Sequence, residues 1–511
     1  MPTLISSKDK YSFKNVHGNY RKSYFYHTRL FNDPTKKNFA AYNDTTEEIK
    51  KLIWMCAKEK VRIRACGSKW SLSEVPYAKG MLIFSVNPDN KPDLKFKGFL
   101  NDNYLEQAGE KNEFLFAQCG NTIKDLNLFC QEAKRSLPTS GDSNGQTIAG
   151  AISTGVNGSA YQFGCIQDAV VGLHIVRGDG EKDSIYLESA SNPVANQQFA
   201  DRIKATLVRD DDLFHAALVS MGTFGYIHGV MIQTVPVFRL LNMIKKVDIN
   251  DAYKFTKTLD IRNSVLDLDG LDADALYHIK FYINQYQLQD NVRAEIIYKL
   301  FPGQRVGFLS KKLKYIKDFI LFKLAKVVAT WEPETIPELI NPQLPKDGDY
   351  EVGFLNDIFG DSTPRSGQWA CAIAVDVVDT ERVTKLMIAH FDQPDVKKIP
   401  SAFSFRFVKK SKAMLAFTKF ENNCIIGIDG IKNRATKEYL KEISQILVDS
   451  GIPHTWHWGK RHVMDADFIQ KMYGNQLPTW RKKRTEFLSP VVAQIFSSRH
   501  LDKLGLTTIY S

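Results

Sequence analysis

Cysteine is scarce and never set in a pairing pattern. The seven in this 511-residue chain (Cys56, Cys66, Cys119, Cys130, Cys165, Cys371 and Cys424) are scattered, with no CxxC, so neither a disulfide framework nor a CxxC zinc or redox site is expected. They read as free thiols in a reducing compartment. Long apolar runs are missing too. No stretch of ~18 apolar residues occurs, and Met1 to Pro34 lacks a signal-peptide core, so a cytoplasmic protein that does not span a membrane is the expectation. Also absent are the strand-GxGxxG-helix fingerprint and GxxxxGK[ST], which weakens nicotinamide-dependent and P-loop readings together. His454, His457 and His462 crowd near Asp465 and Asp467 without HExxH spacing, and no metal is expected. No repeat marks a solenoid. What is left, at 43% hydrophobic and 24% charged residues, is an ordinary globular chain.

Its net charge of +11 is concentrated in two places: Lys299–Lys326 carries +7 and His457–Arg484 carries +5. No nucleic-acid module accompanies them, and a nucleic-acid partner is not expected. Within 308–328 an apolar stripe (Leu309, Leu313, Ile316, Ile320, Leu324, Val327) is flanked by lysines. Such a helix can lie on an anionic membrane, or pack its stripe on the protein's own core, the commoner use.

The local pattern predicts a helix capped at Thr45 with Ile49, Leu52, Ile53 and Cys56 inward, then a strand over Val61–Arg64 that stops at Gly67. A glycine-rich block, Ser140–Gly158, lies between a helical pattern (Ile123–Lys134) and a strand pattern (Ala169–Val176). Asp212 is placed to cap a helix through Ala217, and a turn at Met221–Gly225 feeds an apolar strand. The character changes near residue 240. Pro333–Pro345 reads as a loop or connector.

Four segments, RACGSKWSLS (Arg64–Ser73), SGDSNGQTIAGAISTGVNGS (Ser140–Ser159), GCIQDAVVGLHIVRGDG (Gly164–Gly180) and SMGTFGYIHGV (Ser220–Val230), resemble in order and spacing the PCMH-type FAD-binding domain of the vanillyl-alcohol oxidase flavoprotein family. The resemblance covers about residues 40–235. His457-Trp458-Gly459-Lys460 also resembles the HWGK element of its sugar-1,4-lactone oxidase and alditol oxidase branch. The resemblance implies an α+β fold: an N-terminal arm (1–33), a two-part FAD-binding domain (34–240), an α+β substrate-binding cap (241–450) and a C-terminal segment (451–511) that returns to close the flavin site. It implies oxidation of a CH–OH or CH–NH group by hydride transfer to flavin N5, with O₂ as acceptor giving H₂O₂. A dehydrogenase with another acceptor, and a non-catalytic basic membrane-surface scaffold on the same fold, stand as alternatives.

A diphosphate needs clustered N–H donors on small residues. Ala65, Cys66, Gly67, Ser68, Lys69, Trp70 and Ser71 look like one such nest. By similarity, Asp142, Thr147, Gly150, Thr154, Gly155, Val156 and Asn157 line the other side of the diphosphate and the flavin, with Ile227 near the adenine. Two departures stand out. The family's flavin-linking histidine is replaced by Trp70, whose indole nitrogen is not nucleophilic, so FAD is expected to be non-covalent unless Cys165 or another histidine makes the link. The second loop's histidine is replaced by Asn157.

On the substrate side, the branch's Glu-x-Arg becomes Ser404-Phe405-Arg406. Arg406 and Lys460 are expected to form a positively charged face toward the flavin, and His457 to act as a general base, to orient Lys460 or to pack on the ring. The lost glutamate and the many cap aromatics (Tyr277, Phe281, Tyr282, Tyr286, Phe403, Phe405, Phe407) point to a larger or more apolar alcohol, or an amine, beside polyols and lactones. The substrate's identity and the oligomeric state stay open.

Overall fold

A computed structural model describes residues 5–36, 39–85, 92–107, 113–178, 183–268, 270–288, 292–300 and 335–507. The amphipathic segment 308–328 lies outside the described residues. Two sheets come from the first half of the chain. One runs, in spatial order, Ile5–Lys14, Arg21–Leu30, Met81–Ser85, Ile63–Cys66; the other Phe114–Gln118, Tyr226–Gln233, Val170–Val176, Ser184–Glu188, Thr206–Arg209. An eight-stranded sheet follows: Tyr350–Gly353, Arg239–Val247, Val292–Leu300, Leu276–Ile283, Phe403–Lys409, Asn422–Ile431, Gln368–Asp376, His454–Trp456.

The eight-stranded sheet separates its two faces by period-2 alternation. Phe281, Phe403, Phe405 and Phe407 are buried on one face, under the helices Ile249–Thr258, Thr380–Phe391 and Arg434–Asp449. Phe255 meets Phe407 edge-on at 5.3 Å, and Phe391 stacks on Tyr439 at 4.7 Å. Each such ring contributes about 1.5–3 kcal/mol by leaving water. The other face carries a charged row in register, Glu295 opposite Lys280 and Lys280 opposite Arg406, with Tyr282 opposite Ser404.

After the last strand the chain crosses back to the first half. Trp480 Nε1 donates to the Ala216 carbonyl (3.0 Å), Arg484 Nε donates to that of Thr223 (3.1 Å), and Arg62 pairs with Asp502 at 2.8 Å. Lys483 of the same segment pairs with Asp210 at 2.9 Å, so part of the second basic segment serves this docking.

Several sequence expectations shift. The first helix spans Phe39–Lys58, so Thr45 and Thr46 lie inside it and hydrogen-bond back to the Ala41 and Tyr42 carbonyls instead of capping. Burial of Ala41 and Tyr42 extends the helix beyond its strongest local start signal. Asp210, not Asp212, caps the helix Asp211–Leu218. The polar N-terminal stretch forms two strands of the first sheet. Part of the proline-rich connector is a short helix, Ile336–Ile340, with Pro337 in its first turn, where no amide partner is lost.

Candidate active site

A cavity of about 1290 Å³ opens between the glycine-rich loops of the first half and the charged face of the eight-stranded sheet. That exceeds the 300–1,000 Å³ or so of a pocket for one drug-sized ligand, leaving room for a dinucleotide and a small substrate together. Lining it are Ala65, Cys66, Gly67, Ser68, Lys69, Trp70 and Ser71; Asp142, Thr147, Gly150, Thr154, Val156, Asn157 and Ile227; and Arg406, His457 and Lys460. Gly155 is not among the lining residues. It sits just past the helix Ile148–Ser153 with φ +63°, a helix-ending position.

Three loops far apart in sequence are tied together at this cavity. The Gly459 carbonyl accepts from the Leu72 amide (2.8 Å) and the Ser71 hydroxyl (3.0 Å). Gly67 packs so closely on Thr147 that a Cβ there would lie 2.0 Å from Thr147 Oγ1. Lys69 takes the left-handed conformation at φ +58°, which turns the chain after Gly67. Among the described residues the amides of Ser68, Lys69 and Trp70 make no hydrogen bond within the protein. Consecutive unspent N–H groups around a left-handed residue form an anion nest, and these residues fit a dinucleotide diphosphate.

Trp70 stands edge-on to His17 at 5.2 Å, and His17 Nδ1 accepts from the Arg365 amide (3.1 Å). Of the chain's histidines, His17 and His457 line the cavity among the described residues. Cys165 does not: its thiol is buried, bonded to Thr418 Oγ1 at 3.2 Å, and pushed up to about 12 by burial.

His457 Nδ1 accepts from the Gly459 amide at 2.9 Å, and the ring packs on Phe417 at 4.8 Å. Burial, then the charges of Lys460 and Arg406, depress its pKa to about 3, so the imidazole is neutral and a poor base. Of the roles considered for it, this geometry suits shaping the Gly459–Lys460 turn.

The positive face expected of Arg406 and Lys460 is instead balanced. Asp142 Oδ2 receives both Arg406 Nη1 (2.7 Å) and Lys280 Nζ (3.0 Å), and Lys460 Nζ lies 3.7 Å from Asp429 Oδ1. Burial disfavours charge on Asp142, but Arg406 and Lys280 outweigh it and hold the carboxyl well below the usual carboxylate range. Glu295 accepts from Tyr282 Oη (2.8 Å) and Asn242 Nδ2 (2.9 Å). Six Lys/Arg and six Asp/Glu line the cavity in all. Of the seven cap aromatics only Tyr282 reaches it, which removes the support for an apolar substrate pocket. Lys280, Glu295 and Asp429 were missed from sequence; Lys280 and Asp429 are each the lone charge of their strand, and that was the available signal, whereas Glu295 shares its strand with Arg293 and Lys299 and offered none.

Family models match two parts of the chain: an FAD binding domain over residues 39–182, and D-arabinono-1,4-lactone oxidase over 358–491. A D-arabinono-1,4-lactone oxidase of Debaryomyces hansenii is 25% identical over 231 residues, 45% of this chain and 36% of that one. The chain thus matches only about a third of that relative's length. An L-gulono-1,4-lactone dehydrogenase of Mycobacterium tuberculosis is 24% identical over 443 residues, 85% of this chain and 88% of its own. Cholesterol oxidase from B. sterolicum shares the fold, with a TM-score of 0.67 at 12% identity over 98% of this chain and 97% of that one.

Proposed function

We propose that this PCMH-type FAD flavoprotein, which resembles the sugar-1,4-lactone oxidase branch, holds FAD non-covalently and oxidises a CH–OH group of a small, uncharged, hydroxyl-rich compound. The carrying observation is the single cavity in which an anion nest and a charge-balanced polar wall face one another. When bound, FAD supplies the hydride acceptor.

The rest falls to the chain's own residues. The Ser68–Trp70 amides bind the diphosphate. Lys460, at 3.7 Å from its nearest carboxylate, keeps N–H donors to offer a substrate oxygen as negative charge develops there. Arg406 is 3% exposed; burial works against its charge, but Asp142 and Asp429 keep it cationic, and it fixes the Asp142 carboxylate on the same wall. Polar groups already in place reject ligands that cannot match them. A reducing compartment belongs to the proposal, since all seven cysteines are buried free thiols.

The names of the relatives make lactones the first compounds to try. Purified protein should be yellow and should bleach anaerobically with D-arabinono-1,4-lactone or L-gulono-1,4-lactone. Colour that returns in air with peroxide release identifies an oxidase; colour that returns only with an added dye identifies a dehydrogenase. A colourless protein that takes up no FAD would sink the proposal.

A further inference from the structure

Two cations converge on one oxygen of Asp142. Arg406 Nη1 and Lys280 Nζ both reach Oδ2, whereas Oδ1 has no hydrogen-bond partner among the described residues. The side chain is 37% exposed, and the surface it exposes lines the cavity. A carboxylate offers about four lone-pair sites. The cations fix its orientation and keep it ionised, so the second oxygen is a pre-positioned acceptor at low entropic cost. It stands beside the wall formed by Tyr282, Glu295 and Ser404 rather than within the first-loop nest, and diphosphate oxygens would repel it.

We propose that Asp142 is a substrate-recognition residue rather than a cofactor ligand, with Oδ1 accepting a hydrogen bond from one hydroxyl of the substrate. This rests on the proposed function. It also accounts for the missing glutamate at position 404: the carboxylate on the substrate wall is delivered by the second glycine-rich loop, across the interface from Arg406, instead of by the same strand.

Asp142→Asn is a sharp probe, because its amide oxygen can stay on Arg406 and Lys280 while its NH₂ places a donor where Oδ1 was an acceptor. Flavin-loaded wild type and variant would be titrated with D-arabinono-1,4-lactone and its 2-, 3- and 5-deoxy analogues, by anaerobic flavin reduction or by competition against the parent lactone. In wild type, removal of one particular hydroxyl should weaken binding about 10–100-fold; in Asp142→Asn the same removal should cost less than about threefold, with flavin affinity unchanged. Asp142→Glu, which keeps the charge, should retain part of the discrimination and guards against a folding defect. Equal losses for all four lactones, or a fall in flavin affinity in step with the loss of lactone, overturn the assignment alone. A wild type that binds FAD but none of the lactones overturns it together with the lactone reading.

Discussion

The Gly459 carbonyl receives the Leu72 amide at 2.8 Å, joining the HWGK turn to the end of the first glycine-rich loop. A Cβ on Gly459 would come within 3.1 Å of both His457 Cε1 and Thr154 Oγ1, so Gly459→Ala must push this turn away from the cavity wall. Its flavin dissociation constant should rise about tenfold or more, with a loss of roughly 1–3 kcal/mol in stability. Flavin fluorescence titration and urea unfolding would check both.

Gly67→Ala should be harsher, because the added methyl lies 2.0 Å from Thr147 Oγ1 and the clash sits where the nest begins. The variant should purify with little flavin. Adding Thr147→Gly should restore much of it; equal flavin loss in the single and double variants would refute the steric explanation.

Acid precipitation of yellow protein should release the flavin into the supernatant. Trp70 offers no nucleophile at the usual linking position, and the His17, His457, Cys66 and Cys119 side chains that also line the cavity are buried, burial pushing the Cys66 thiol up to about 12 and raising that of Cys119. Colour retained in the pellet, mapped to a peptide carrying any of these four residues, would count against the non-covalent reading.

Acid should destabilise the fold well before carboxylates titrate. Burial depresses the pKa of His174 to about 3, His278 to about 4 and His457 to about 3, whereas the unfolded chain titrates near 6.5. The stability these neutral rings lend is full above that value and is lost as pH falls toward the folded pKa, about 2 kcal/mol for each by pH 5. The urea midpoint should therefore drop steeply between pH 7 and pH 5, and His174→Gln should flatten that slope. A flat profile would rule the linkage out.

The glycine-rich loops were legible because small residues at a strand end have few other uses, and the order of four such segments carries the fold. Gly155 shows the limit of that signal: a glycine that ends a helix and one that faces a ligand look alike without φ. The substrate wall was harder. Arg406 could be placed on a strand, but its partners Asp142 and Lys280 are set by register and by how one half of the chain meets the other, which no local pattern encodes. The cap aromatics misled because, in a strand, Phe405 and Arg406 point to opposite faces, and only the register tells which face meets the cavity.

The Ser71 hydroxyl and the Gly459 carbonyl that bond at the cavity are 388 residues apart. At a ribosomal pace of roughly 5–20 residues per second, the first loop waits about 20 to 80 s for its partner to be made. The early sheets can form in that interval, but the turn that ties the first loop to the cavity cannot. Closure of the cavity is thereby a late event in biogenesis, and a chain stalled before the HWGK turn would carry both the nest and the charged strands without the Gly459 tie between them.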